Sequence, residues 1–137
     1  MTKRELCLAA VEAKSRAYAP YSGFCVGAAL LTASGRVYTG CNIENASFTP
    51  TICAERTAIF KAVSEGERDF AMLAVVGGKG ETISSATPPC GVCRQVMSEF
   101  CSADFPVLLV QDAEGGFEEC TLGELLPRVF YPERFTD

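Results

Sequence analysis

The sequence predicts an α/β protein built on a mixed sheet, and three observations carry that reading. Short apolar runs suited to buried strands recur at 25–31, 70–76 and 106–111. Segments of helical periodicity alternate with them after an opening hairpin, and Pro- and Gly-rich breaks separate one element from the next. At 137 residues the chain fits one domain, spanning 1–137, near the commonest domain size. That length buries a core without the disulfide staples of smaller secreted domains.

Each element has a local cause. Thr2 with Glu5 three residues on forms a capping box. Leu6, Ala9, Ala10, Ala13 and Ala17 follow at helical spacing, so a first helix ends before the loop Tyr18-Ala19-Pro20-Tyr21-Ser22-Gly23. Residues 25–31 form a strand, Ala33 to Arg36 a turn and Val37 to Cys41 a second strand, which together make a hairpin. Asn42 to Thr51 is polar and loop-like. From about Cys53 the pattern is helical and stops at Gly66. Phe70 to Val76 is a strand, and Gly77 to Pro89 a long loop. Gly91 to Phe100 is a helix whose start is fixed by Pro88 and Pro89. Pro106 to Gln111 is a further strand, which Ala113 to Gly116 turn back. Thr121 and Glu124 cap a last short helix that runs through Leu126 and is stopped by Pro127.

Composition narrows the function. Seventeen acidic against twelve basic residues give a net charge of −5, and the densest basic run is Lys3-Arg4. A nucleic-acid binder needs a positive surface to displace counterions from phosphates, so a small uncharged ligand is favoured over DNA or RNA. No apolar run approaches a membrane span, and the N-terminus lacks the uninterrupted apolar core of a signal peptide. A cytoplasmic protein is expected, with its eight cysteines as thiols or metal ligands. Hydrophobic residues make up 48% of so short a chain, which points to burial against other subunits. There is no histidine, which removes Ser-His and Cys-His hydrolase arrangements, every His base and every His-containing metal site.

The chemistry concentrates in Pro89-Cys90-Gly91-Val92-Cys93 and Cys53-Ala54-Glu55. Two cysteines three apart at a helix start share one side of the first turn. There the positive helix end and free backbone N–H groups favour thiolates and metal binding. Cys53 also falls at a predicted helix start, with Thr51 as a candidate N-cap. Three ligands on tetrahedral zinc leave the fourth position for water, the arrangement of a catalytic site. A CxxC pair alone suits a redox dithiol equally well, but a redox dithiol leaves the Cys-x-Glu unexplained. Glu55 is the candidate acid/base, against the simpler reading of a carboxylate that complements a helix dipole. Arg56 is a candidate donor to thiolate sulfur, offsetting the charge of three thiolates, against the reading of an exposed helix arginine. Cys7, Cys25, Cys41, Cys101 and Cys120 read mostly as small buried hydrophobes.

These motifs resemble the zinc-dependent nucleoside and nucleotide deaminases in their three-cysteine version, whose signature and Glu acid/base are a known pattern. More specifically, the chain resembles the short homotetrameric cytidine deaminases. The resemblance runs through Tyr18–Phe24, Val26–Leu31, Gly40–Ala46, Cys53–Ala58, Pro89–Gln95 and Glu124–Pro127, nearly the whole chain. It implies a three-layer α/β/α fold on a mixed, mostly five-stranded sheet. It also implies one zinc per chain on Cys53, Cys90 and Cys93, and deamination of cytidine and deoxycytidine in pyrimidine salvage. Glu55 would carry protons from water to ring N3 and to the departing amino group. The Ala54 N–H and the Pro88 carbonyl would hold the base edge, although the family usually has Ser where this chain has Pro88, so a hydroxyl is lost. Phe24 matches the aromatic that packs on the pyrimidine, with plain core packing as the competing reading. Asn42 and Glu44 match the ribose readers, and without the resemblance they read equally as a polar loop. Phe48 and Phe130 match aromatics that close over a neighbouring subunit's nucleoside, so the tetramer would share its active sites. Two other readings stand beside this one: a deaminase of an aminonucleoside antibiotic, and a non-enzymatic zinc-stabilised binding module.

Overall fold

The computed structural model describes residues 1–128. The chain order is α1 (Lys3–Lys14), β1 (Phe24–Thr32), β2 (Val37–Cys41), α2 (Ala54–Ser64), β3 (Phe70–Lys79), α3 (Gly91–Phe100), β4 (Pro106–Val110), β5 (Phe117–Thr121) and α4 (Leu122–Leu125). Five strands form one sheet in the order β2-β1-β3-β4-β5. Only β3 and β4 run parallel, and the other three pairings are antiparallel. The sheet is therefore mixed, as expected.

The sheet has a core on each face. On one side Leu6, Cys7 and Ala10 of α1 pack against Ala29, Ala74, Val76, Leu108 and Val110. On the other, Ala58, Ile59 and Ala62 of α2 and Met97 of α3 pack against Ala28, Leu30, Leu73, Val75 and Val107. Alternation along each strand sends successive side chains to opposite layers, which is why the central strands are apolar without a break. Two glycines let the helices close on the sheet. A Cβ at Gly27 would lie 2.2 Å from the Ala10 carbonyl oxygen, and one at Gly40 2.5 Å from the Ala54 carbonyl oxygen. The second approach seats the first turn of α2 against β2.

Three boundaries differ from the sequence reading. The first helix ends at Lys14, before Ala17, where Ser15 caps it. β3 continues through Gly77 and Gly78 to Lys79, because β1 pairs with it as far as Phe24↔Lys79. The two glycines look like breakers, yet pairing with β1 keeps them in the strand, where the Thr87 and Phe24 side chains crowd Gly77 and the Thr82 carbonyl crowds Gly78. β5 carries the polar run Phe117–Thr121, and its pairing with β4 makes it a strand. Among the described residues, no helix is long and apolar enough to cross a membrane.

Candidate metal centre and active site

Cys53 is the N-cap of α2 and Cys90 the N-cap of α3, both with extended backbone. Two helix starts thus face each other, and each contributes sulfur. The Cys93 N–H donates to the Cys90 sulfur at 3.4 Å, so Cys90 caps its own helix. The Sγ atoms of Cys53 and Cys90 are 3.4 Å apart, as are those of Cys90 and Cys93, and all three lie within 4.8 Å of one another. A tetrahedral centre with bonds of about 2.3 Å needs sulfurs about 3.8 Å apart. The donor set and its spacing fit zinc with one coordination position left over.

The protons on these sulfurs are unequally held. Cys53 is pushed down to about 5, first by the hydrogen bond from Cys93 and then, against the cost of burial, by Arg56 and Cys90. Cys93, buried, is pushed well up, first by its hydrogen bond to Cys53 and then by desolvation. Arg56 Nη2 donates to Cys53 Sγ at 3.3 Å, and its Nε is buried without a partner. Burial acts to lower the Arg56 pKa, but the sulfurs of Cys53 and Cys93 more than offset it, so the guanidinium stays charged. The exposed-arginine reading of Arg56 does not hold, since the head group is turned onto the sulfurs.

Glu55 follows Cys53 in the first turn of α2 and is only 3% exposed. Burial raises its pKa to about 7, with the Cys53 charge adding to that and Arg56 and Cys93 opposing it. Such a carboxyl accepts and returns a proton near neutral pH, as a general acid/base must. Position two in a helical turn does not normally share a face with position zero. Cys53 and Glu55 converge because Cys53 is the cap, outside the helical repeat.

Asn42, Glu44 and Phe48 gather around segment 21–26. Asn42 is buried; its Oδ1 accepts from the Val26 N–H at 2.8 Å and its Nδ2 donates to the Phe24 carbonyl at 2.9 Å. Glu44 accepts from the Tyr21 and Ser22 N–H groups at 2.9 and 3.1 Å and from the Ser22 hydroxyl. The Ser22 hydroxyl leads the contacts that hold its carboxyl below the ordinary range. Asn42 and Glu44 thus point the same way, as two residues apart on an extended segment should, and both clasp the loop that delivers Phe24. Tyr21, Ser22, Glu44, Phe48 and Thr51 line a recess of about 350 Å³. Phe48 is 74% exposed and takes φ 61, a strained value for an aromatic residue. Ala54 is buried in the first turn of α2 and Pro88 is exposed beside the Cys90 loop. Phe130 lies outside the described residues.

Sequence reasoning missed Arg94. Its Nε donates to the Pro89 carbonyl at 2.7 Å and its Nη1 to the Leu125 carbonyl at 2.5 Å, fixing the Cys90 loop to the end of α4. Its place one residue after the CxxC was the available signal. Of the five other cysteines, Cys7, Cys101 and Cys120 are buried, while Cys25 and Cys41 are half-buried. Among the described residues all are free thiols.

A five-stranded α/β/α sheet with three sulfurs and a buried carboxyl at two facing helix starts defines the class of thiolate-zinc hydrolytic proteins. Within that class the comparisons are specific. The family described as the cytidine and deoxycytidylate deaminase zinc-binding region matches residues 1–109, and the chain belongs to this family. It is 50% identical, over the full length of both chains, to a cytidine deaminase of Halalkalibacterium halodurans. It is 49% identical to a cytidine deaminase of Sporosarcina psychrophila over 97% of this chain and 94% of that protein. The crystal structure of cytidine deaminase from Burkholderia pseudomallei superposes with a TM-score of 0.85 at 46% identity, covering 95% of this chain and all of that one. The cytidine deaminase from Mycobacterium tuberculosis superposes with a TM-score of 0.79 at 37% identity, covering 95% and 98%.

Proposed function

We propose that this protein is a cytidine deaminase, converting cytidine and deoxycytidine with water to uridine and deoxyuridine plus ammonia. The observation that carries the reading is the buried Glu55 carboxyl beside three converging sulfurs. The sulfurs that would hold a metal and the carboxyl that would carry protons are then side by side. Family membership and the names of the full-length relatives support the same substrate class.

Cys53, Cys90 and Cys93 would hold one zinc per chain. When bound, it supplies an acidified water at neutral pH. Glu55 would move a proton from the attacking water to ring N3, which makes C4 electrophilic; as the water oxygen bonds to C4, Glu55 would pass the second proton to the amino group, and the C4–N bond breaks to release ammonia. The Ala54 N–H and the Pro88 carbonyl hold the base edge, and the Phe24 ring packs on its face. Arg56 offsets the charge of the three thiolates, through its contact with Cys53.

Asn42 and Glu44 read the sugar with what their loop contacts leave free. An amide has two N–H donors, of which Asn42 commits one to Phe24; a carboxylate offers about four acceptor sites, of which three in Glu44 face Tyr21 and Ser22. The residual capacity matches two sugar hydroxyls. The working particle is a cytoplasmic homotetramer of single-domain chains, in which Phe48 and Phe130 close a neighbouring site.

Incubation with cytidine tests the reading, following the loss of ultraviolet absorbance and the ammonia released. Stoichiometric ammonia supports it. Zinc binding without turnover would favour a binding module, and turnover of an aminonucleoside antibiotic alone would favour the other deaminase.

A further inference from the structure

Gly77 sits inside β3, paired with Val26 of β1, where glycine weakens a strand and contributes no packing. Its φ is not in the positive region that only glycine favours, so backbone conformation does not account for it. Space does. A Cβ at position 77 would lie 2.7 Å from Thr87 Oγ1, 2.8 Å from Thr87 Cγ2 and 2.9 Å from Phe24 Cε2. Thr87 and the Phe24 ring therefore meet over a bare patch of strand. Thr87 directly precedes Pro88, and the loop it ends is tied back by the Ser84 N–H to the Gly77 carbonyl at 2.7 Å. The neighbouring Gly78 differs in kind. A Cβ there would lie 2.0 Å from the Thr82 carbonyl oxygen, a backbone atom that cannot turn aside.

We propose that Gly77 is a positioning residue for substrate: its missing side chain seats Thr87 against the Phe24 ring and so fixes the gap between that ring and the Pro88 carbonyl, into which a flat base slides. This rests on the cytidine deaminase reading and deepens it. The obstructing atoms at Gly77 belong to side chains, which shift by tenths of an ångström without unfolding the sheet. An added methyl group there displaces the ring and the loop, while Glu55 and the three cysteines stay where their helices hold them. Base binding suffers and proton transfer does not.

The test is a four-member cycle: wild type, Gly77→Ala, Thr87→Ala and the double variant. Measurements are KM and kcat for cytidine, Kd for the product uridine, and bound zinc. Gly77→Ala should raise KM and Kd roughly tenfold, the low end of what one misplaced methyl group costs in a pocket, with kcat within about threefold and zinc retained. Thr87→Ala, which empties the seat, should raise KM and Kd as well. In the double variant the alanine methyl takes the space of the lost threonine atoms, so KM and Kd should return towards wild type and improve on both singles. Unchanged KM and Kd in Gly77→Ala, or a double variant that does not improve on both singles, would overturn the proposal. If Gly77→Ala does not fold, Thr87→Ala decides: a raised KM at unchanged kcat supports the seat, and an unchanged KM rejects it. Wild type lacking any cytidine turnover would instead remove the functional reading on which the cycle stands.

Discussion

Asn42 makes two hydrogen bonds to one strand, one to the Val26 N–H and one to the Phe24 carbonyl, and it is buried while doing so. Replacing it with Ala leaves both backbone groups without partners, at about 1–3 kcal/mol for each. Asn42→Ala should therefore lower the urea midpoint and raise KM for cytidine together; a variant that raised KM at full stability would assign Asn42 to the sugar alone. Glu55 separates from this structural class by its company. Its carboxyl is 3% exposed, lies beside Cys93, and is raised to about 7 chiefly by desolvation. Glu55→Gln keeps the shape and cannot carry a proton, so kcat should fall by about 10²–10⁴-fold while zinc content stays at wild type. Near-normal turnover in that variant would take the proton transfers away from Glu55.

The elements matter through their ends. α2 and α3 each begin on a cysteine, and capping residues lie outside the helical repeat, so Cys53 and Cys90 turn their sulfur towards each other while Cys93 closes the triangle from within the first turn of α3. Removing one sulfur leaves two thiolates, too few for a four-coordinate centre with one open position. Cys90→Ala and Cys93→Ala should each purify with little or no zinc, measured by metal analysis, and without activity. Full occupancy in both would end the ligand assignment. Arg94 ties the Pro89 carbonyl to that of Leu125, so the helix carrying two ligands also carries the start of the C-terminal segment.

At the scale of the whole molecule, the described surface bears exposed aromatic and aliphatic side chains at Tyr18, Tyr21, Ile43 and Phe48. They are neighbours: Tyr18 and Ile43 share a β-bridge, while Tyr21 and Phe48 line one recess. Clustered apolar exposure of this sort marks an interaction surface, and it borders the segment that delivers Phe24. A tetramer with shared sites makes a demand on mixtures. Glu55→Gln chains reassembled with chains substituted at Phe130 should regain part of the activity, because some mixed sites hold both intact residues. Sedimentation should give about four chains per particle. A fully active monomer at assay concentration would refute the shared site.

Local rules made most of this protein legible from its residues. The capping boxes at Thr2/Glu5 and Thr121/Glu124, the hairpin turn at Gly35 and the start of α3 after Pro89 all stand where short-range chemistry put them. The three cysteines and Glu55 were legible for the same reason, since helix starts are set within a few residues. What the sequence could not decide depended on distant backbone. Gly77 and Gly78 read as a break, yet β1 on one side and the 82–87 loop on the other make them strand. Polar β5 became a strand through β4. Asn42 and Glu44 read as a polar loop or as sugar readers, and tertiary structure aimed both at residues 21–26, about twenty positions away in sequence. Periodicity and capping are written into neighbours along the chain. Which bare glycine or free carbonyl a side chain will meet is settled only when the layers close.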